Sequence, residues 1–291
     1  MLPEAVYLIK FKYNQKLTLK FTEYGTFEQV MSLAPDGWLD VAGASLEYRI
    51  VGPLPEQAPT IILLHEGLGC VGRWKDFPER LASLTGFGVF VYSRRGYGQS
   101  SPYPPPWPVQ YMHDEAEILR GVLVRLDIQA GILCGHSDGA SIAAIFLGNT
   151  GHPGVKGLVL MAPHFFTEQA GLDSIQQAKS EYQQGNLRER LKKYHGDNVD
   201  NAFLGWNGAW LQEGFAAWNI ESVLPHICIP ILVLQGMQDQ YGSIAQVKTV
   251  QQNAGGDVRL TMLEHCGHSP HVDQGTLVLA EIHDFSSGIL E

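Results

Sequence analysis

The segment from Gly135 to Gly139 has the sequence GHSDG and places one serine between two glycines. The apolar run "ILC" precedes it, and the small residues of "ASIAAIF" follow. A G-x-S-x-G pattern between a predicted strand and a predicted helix is typical of a sharp turn that exposes a serine hydroxyl for attack on a carbonyl carbon. We therefore predict that Ser137 is a nucleophile, with an ordinary turn or helix-capping role as the alternative.

A serine hydroxyl becomes an effective nucleophile when a base accepts its proton and a carboxylate orients that base. Asp239 lies just past the apolar strand in "PILVLQGMQD", and His268 lies just past the next strand, in "VRLTMLEHCGHS". Both positions are strand ends, and the chain order is Ser, Asp, His. The sequence therefore predicts a Ser137, His268 and Asp239 triad. Taken singly, Asp239 is also compatible with a turn residue and His268 with a surface histidine.

Attack on a carbonyl also needs backbone N–H groups that bind the developing oxyanion. The residue after the nucleophile supplies one such group, which here is the N–H of Asp138. The second is expected in "HEGLG", which follows the apolar run "TIILL". We predict Gly67 as this donor, with Leu68 second, because glycine lets a backbone approach the carbonyl closely. His65 is predicted to be a buried histidine that bonds the loop backbone.

Other residues compete for these roles. His265 lies earlier than His268, within the last strand or at its edge, and Glu168 lies too far beyond its strand to replace Asp239 comfortably. Arg94 and Arg95 are compatible with substrate anchors, although structural ion pairs are the commoner use of such arginines. The histidines of "HCGHSPH" lack the carboxylate and open position expected at a catalytic metal. We therefore predict no metal and no cofactor.

The segments that carry these residues alternate between short apolar runs and amphipathic helices. Apolar runs such as "TIILL", "FGVFVY" and "GLVLM" indicate strands buried on both faces. That alternation predicts parallel strands joined by helices that cover both sides of a sheet. Because the carboxyl ends of parallel strands meet at one edge, the candidate residues are expected to converge there.

Composition limits the class of protein. The chain has 291 residues, enough for one large core, and no apolar run long enough to span a bilayer. A net charge of −10 disfavours nucleic acid and anionic membranes as partners. The amino terminus has no signal-peptide pattern, and the four cysteines have no paired spacing, so we expect reduced thiols and a cytoplasmic location. The expected partner is a small-molecule substrate, and homo-oligomer formation stays open.

In combination these motifs resemble the α/β-hydrolase superfamily. "RGYGQS" and GHSDG match its pattern, "HEG" matches it except at Glu66, and the resemblance extends from Trp38 to the carboxyl end. It implies an α/β-hydrolase fold with a mostly parallel eight-stranded sheet flanked by helices, together with the triad and oxyanion donors named above. Two positions depart from the family pattern, because Glu66 replaces a usual glycine and Ser93 replaces a usual aspartate.

The expected domain organisation has three parts. Residues 1–36, which the resemblance does not cover, form an extra amino-terminal β segment, either a hairpin or an association surface, and residues 37–162 and 226–291 form the α/β-hydrolase core. Residues 163–225 interrupt the strand and helix alternation where the family usually carries a helical lid. Within that lid, "AFLGWNGAWLQEGFAAWNI" is rich in aromatic residues. These side chains either line an acyl pocket, for which Trp206 and Trp210 are the predicted substrate-binding residues, or attach the lid to the sheet.

The function expected from these residues is that of a serine hydrolase. It would cleave an ester-type bond of a small, partly apolar carboxylic ester through an acyl-enzyme. The same triad also serves carbon–carbon bond hydrolases, lactonases, thioesterases and amidases, since a fold does not determine a substrate. A small-ligand binding protein with little turnover is the alternative from another class.

Overall fold

The computed structural model describes residues 7–10, 16–21 and 27–290. Near the amino terminus, the strands β1 (Tyr7–Lys10), β2 (Lys16–Phe21) and β3 (Phe27–Ser32) form a three-stranded antiparallel sheet. The sequence predicted paired strands in this segment, and the paired strands are present. The polar turn predicted between the first two lies outside the described residues.

The main sheet has eight strands in the order β11-β10-β9-β8-β6-β7-β5-β4. Strands β6 to β11 run parallel, whereas β4 and β5 form a hairpin that joins β7 antiparallel. The mostly parallel eight-stranded sheet predicted from the sequence is confirmed. Its strands are β4 (Asp36–Val41), β5 (Ala44–Val51), β6 (Thr60–Leu64), β7 (Gly88–Tyr92), β8 (Gly131–His136), β9 (Val155–Met161), β10 (Ile231–Gly236) and β11 (Val258–Leu263).

Helices cover both faces of this sheet, which explains why its central strands are continuously apolar. Along β6, Ile62 and Leu64 contribute to one buried cluster, and Ile61 and Leu63 contribute to the other. The helices are α1 (Phe77–Thr85), α2 (Tyr111–Arg125), α3 (Asp138–Asn149), α4 (Gln169–Gln184), α5 (Leu187–His195), α6 (Val199–Trp210), α7 (Ile244–Asn253), α8 (Pro270–Asp273) and α9 (Gly275–Leu290). Among the described helices, none combines the length and the apolar character needed to cross a bilayer.

The segment between β9 and β10 contains α4, α5 and α6. Most side chains of α4 and α5 face solvent, as expected from their charged sequence, whereas most of α6 is buried. All four cysteines have free thiols, and three of them are buried. The insertion therefore consists of an exposed layer and one aromatic helix that packs against the core.

Candidate active site

Ser137 lies at the turn between β8 and α3, with φ 53° and ψ −118°. This positive φ is uncommon for a residue with a side chain and is found at sharp functional turns. A Cβ added to Gly135 would lie 2.4 Å from the carbonyl oxygen of Gly139. A Cβ added to Gly139 would lie 2.2 Å from the carbonyl oxygen of Leu64. The two glycines of GHSDG are therefore required by the close approach of backbone atoms at this turn.

We expect Gly139→Ala to lower the free energy of unfolding by about 1–3 kcal/mol, because its Cβ would displace the backbone of β6. Turnover should fall as well, since Ser137 is two residues away. Urea unfolding measures the first effect. Gly208→Ala is the matched control, because Gly208 is helical and a Cβ there meets open space. Equal stability of Gly139→Ala and the parent would contradict the crowding at this turn.

The structure brings Ser137, His268 and Asp239 together. His268 Nε2 lies 2.9 Å from Ser137 Oγ, and His268 Nδ1 lies 2.9 Å from both carboxylate oxygens of Asp239. Because the carboxylate accepts from Nδ1–H, Nε2 is left with a lone pair that can accept the serine proton. The side chain of Ser137 makes no capping bond to α3. The alternative helix-capping role for Ser137 is therefore not observed.

Asp239 is held as a carboxylate by several donors. The Tyr241 N–H donates to Oδ1 over 2.8 Å and the Gln235 side-chain amide donates to Oδ2 over 2.9 Å. Burial alone would raise the pKa of Asp239, but His268 and these donors outweigh it and lower the pKa from 3.8 to about 2. The stabilisation from this group is fully present above pH 3.8 and is lost as the pH falls through about 2.

The competing residues lie elsewhere. His265 is exposed and lies beyond the end of β11, so the expectation that it lies within that strand or at its edge is wrong. Glu168 accepts hydrogen bonds from Ser243 and Gln246, away from His268. In the described part of the chain, no group of three or more His, Cys, Asp or Glu side chains is arranged to hold a metal ion.

The predicted oxyanion donors line the same cavity as Ser137. Asp138 is the first residue of α3, where a backbone N–H has no intrahelical acceptor. Gly67 lies against the aromatic helix of the insertion, since a Cβ added to it would lie 2.1 Å from Trp206 Nε1. Leu68 lies next along the loop, and its carbonyl oxygen is 3.1 Å from His195 Nε2. The roles of these N–H groups stay predictions.

Arg94 supports the loop that carries Gly67. Its guanidinium donates to the carbonyl oxygens of His65 and Glu66, and its own N–H donates to His65 Nε2 over 3.0 Å. Burial and the nearby Arg94 charge hold the pKa of His65 well below its usual range, so its ring is neutral and can accept that bond. Of the two uses considered for Arg94, the structural one is observed. Arg95 likewise forms an ion pair with Glu115 at 2.8 Å.

A buried hydrogen-bonded chain that includes Tyr111 was not predicted from the sequence. The Trp210 indole N–H donates to Tyr111 Oη over 3.0 Å, and Tyr111 donates to Asp138 Oδ2 over 2.5 Å. Asp138 Oδ2 also lies 3.9 Å from the Arg94 guanidinium. The carboxylate of Asp138 therefore points away from the serine hydroxyl, as expected for a residue that would contribute only its N–H. No spacing pattern connects Tyr111 to the serine turn, because the two belong to different helices.

We expect Tyr111→Phe to lower the free energy of unfolding by about 1–3 kcal/mol, because the buried Asp138 carboxylate and the Trp210 indole would each lose a partner. Urea denaturation measures this effect. Tyr92→Phe is the matched control, since the buried Tyr92 hydroxyl has no hydrogen-bond partner among the described residues. A Tyr111→Phe protein no less stable than the control would show that this chain contributes nothing to folding.

Ser137 opens into a cavity of about 490 Å³. Trp206 and Trp210 line it, as predicted, together with Ile175. Phe215 instead stacks with Trp218 at a centroid distance of 5.2 Å. Two of the aromatic residues thus lie at the cavity wall, whereas Phe215 packs within the segment and against Tyr111 of α2, with ring centroids 6.5 Å apart. Polar lining residues not predicted from the sequence include Glu66, Arg73, His136, His164, Tyr241 and His271.

The sequence also matches known proteins. It is 29% identical over 168 residues to the proline iminopeptidase PfmaB of Pestalotiopsis fici, across 57% of this chain and 56% of that protein. The chain thus spans little more than half the length of this relative. It is 24% identical over 226 residues to the bifunctional esterase/perhydrolase DCH of Acinetobacter calcoaceticus, across 68% of this chain and 80% of that protein.

Structural similarity extends over more of the chain. The enol-lactonase of Burkholderia xenovorans LB400 superposes with a TM-score of 0.67 and 20% identity, across 86% of this chain and 99% of that one. At this identity the likeness shows the fold alone. Residues 61–282 match the family model described as the alpha/beta hydrolase family. This match covers both the serine turn and the two loops that bring Asp239 and His268 to it, and the chain belongs to the alpha/beta hydrolase family.

Proposed function

We propose that this protein is a serine hydrolase that cleaves an ester-type bond of a small, partly apolar carboxylic ester. The observation that carries the proposal is the continuous line of hydrogen bonds from Asp239 through His268 to Ser137 at the base of a cavity. Such a line can transfer the serine proton as the hydroxyl attacks a carbonyl carbon.

The proposed reaction has two steps. In the first, Ser137 Oγ bonds to the carbonyl carbon, His268 takes the serine proton and then gives it to the departing alcohol oxygen. In the second, water attacks the acyl-enzyme, His268 accepts a water proton, and the acid leaves as Ser137 recovers its hydrogen. The N–H groups of Gly67 and Asp138 are the proposed donors to the oxyanion in both steps.

The lining of the cavity supports the proposal of a small substrate that has both apolar and polar parts. Trp206, Trp210 and Ile175 offer apolar contact, whereas His164 and Tyr241 lie near the imidazole of His268, with ring centroids 5.5 and 4.7 Å away. Burial lowers the pKa of His164 to about 3, so it offers a neutral ring to a substrate. We further propose that residues 163–225 act as a lid that keeps water from the acyl-enzyme.

Labelling with a fluorophosphonate, followed by mass spectrometry of the modified peptide, tests the proposed nucleophile. We expect one stoichiometric adduct, on Ser137. An unlabelled protein would contradict the proposal and favour a ligand-binding role, whereas an adduct on another serine would refute Ser137 as the nucleophile.

A substrate panel then tests the ester assignment. It contains short-chain p-nitrophenyl esters, lactones, acyl thioesters and vinylogous diketones, for which acid release is the common signal, and N-terminal proline peptides, for which free proline is measured. We expect the highest kcat/KM for the esters. A higher value for another class would keep the nucleophile and overturn the ester assignment.

A further inference from the structure

His136 lies immediately before the proposed nucleophile, at the end of β8, and its side chain is almost fully buried. Its Nε2 lies 2.6 Å from the carbonyl oxygen of His268. A carbonyl oxygen can only accept a hydrogen bond, so Nε2 carries the hydrogen and donates it. The side chain next to Ser137 therefore holds the main chain of the residue that would be its base.

The other nitrogen of this ring faces the loop after β6. His136 Nδ1 lies 3.6 Å from Glu66 Oε2, and Glu66 Oε1 lies 3.5 Å from Arg73 Nε. Burial would raise the pKa of Glu66, but His136 and Arg73 outweigh it and hold that pKa well below its usual range. Glu66 is therefore an ionised carboxylate that faces the ring of His136.

The carboxylate of Glu66 folds back over its own loop. A Cβ added to Gly69 would lie 2.3 Å from Glu66 Oε2, so the carboxylate occupies the space that a side chain at position 69 would take. Glu66 also precedes Gly67, a proposed oxyanion donor. His136 thus contacts two loops at once, one that carries the proposed base and one that carries a proposed donor.

The contact from His136 acts on the backbone of His268, which the side-chain hydrogen bonds to Asp239 and Ser137 do not hold. Asp239 and Ser137 fix the two nitrogens of the imidazole, whereas the bond from His136 fixes the backbone from which that ring extends. A shift of about 1 Å in a catalytic group can lower a rate by about 100-fold. Loss of the backbone restraint therefore affects turnover more than substrate binding.

We propose that His136 and Glu66 are a positioning pair that aligns the loop of His268 with the loop of Gly67. This inference rests on the proposed function, since it assigns the pair to the alignment of that same serine site. It also gives a role to the glutamate that departs from the glycine usual in the family.

The test uses the full chain with His136→Met, His136→Gln and Glu66→Gln. We measure kcat and KM on the best ester of the panel, the second-order rate of fluorophosphonate labelling, and the urea midpoint. His136→Met keeps a side chain of similar length without a donor, so we expect kcat and the labelling rate to fall about 10- to 100-fold with KM within about threefold. The exposed His226→Met is the matched control.

His136→Gln decides between positioning and simple packing. Its amide N–H can still donate to the His268 carbonyl, so the backbone restraint is kept and kcat should recover to within about fivefold of the parent. Glu66→Gln removes the charge that faces His136 and should lower kcat about threefold to tenfold, in line with a weakened contact to a charged group.

Several results would overturn the pair's role. One is parent-like kcat and labelling in His136→Met. Another is an equal loss in the methionine and glutamine variants, and a third is an increase in KM alone, which would assign Glu66 and His136 to substrate binding. If His136→Met does not fold, an unchanged kcat in Glu66→Gln overturns the proposal. Retained turnover in Ser137→Ala would instead refute the proposed function, whatever the His136 variants do.

Discussion

Replacement of Ser137 by alanine is expected to lower kcat by about 10⁴- to 10⁶-fold, the range seen when a serine nucleophile is removed from such a triad. The variant removes one oxygen whose described hydrogen bond is to His268. Without that oxygen, no acyl-enzyme can form, and any remaining rate comes from binding and from the oxyanion donors. The fold should persist, because no helix cap or core contact depends on the lost hydroxyl.

Hydrolysis of a short p-nitrophenyl ester measures this effect, and circular dichroism and the urea midpoint report the fold. Ser222→Ala is the matched control, since Ser222 is exposed. It should retain the parent's kcat. A Ser137→Ala protein that hydrolyses the ester at the parent rate would remove Ser137 from the mechanism.

Asp239→Asn is expected to lower kcat by about 10⁴-fold, the loss known for this substitution in a serine triad. Asparagine offers one acceptor oxygen where Asp239 offers two, and Gln235 and Tyr241 already donate to that carboxylate. If the asparagine amide faces His268, the imidazole must accept at Nδ1 and carry its hydrogen on Nε2. The ring then cannot take the proton of Ser137.

Ester hydrolysis between pH 6 and 9 measures the Asp239→Asn effect. We expect a partial recovery toward high pH, where the serine can ionise without help from the imidazole. Asp284→Asn is the control, because that carboxylate is 63% exposed. Full activity of Asp239→Asn at neutral pH would show that Asp239 does not orient His268.

The convergence of the three triad residues was predictable because each follows a recognisable strand end. In a parallel sheet, the strand order and the shared carboxyl edge convert such positions into neighbours. Backbone crowding at GHSDG was predictable from the motif itself, since glycines on both sides of the serine indicate that side chains there would collide with the neighbouring strand and helix. The sheet, the flanking helices and the family follow from these same local patterns.

The support around the site was not predictable in this way. Tyr111, Arg94 and Glu66 act through contacts with residues far away in the sequence. The sequence around each of these side chains has no periodic pattern that would indicate its partner. The position of His265 was not predictable for a related reason. The residue at which a strand ends depends on its pairing with the neighbouring strand, and not only on the hydropathy of the residues at that end.

The aromatic helix α6 has a consequence for how a substrate enters. Trp206 lies against Gly67, and Trp210 is hydrogen-bonded through Tyr111 to Asp138. A displacement of α6 that widens the cavity must therefore move this helix away from Gly67 and from the turn that carries Ser137. In the proposed enzyme, substrate entry and catalysis would then require different positions of α6. The groups around the serine hydroxyl would be fully aligned only after α6 has closed over the bound substrate.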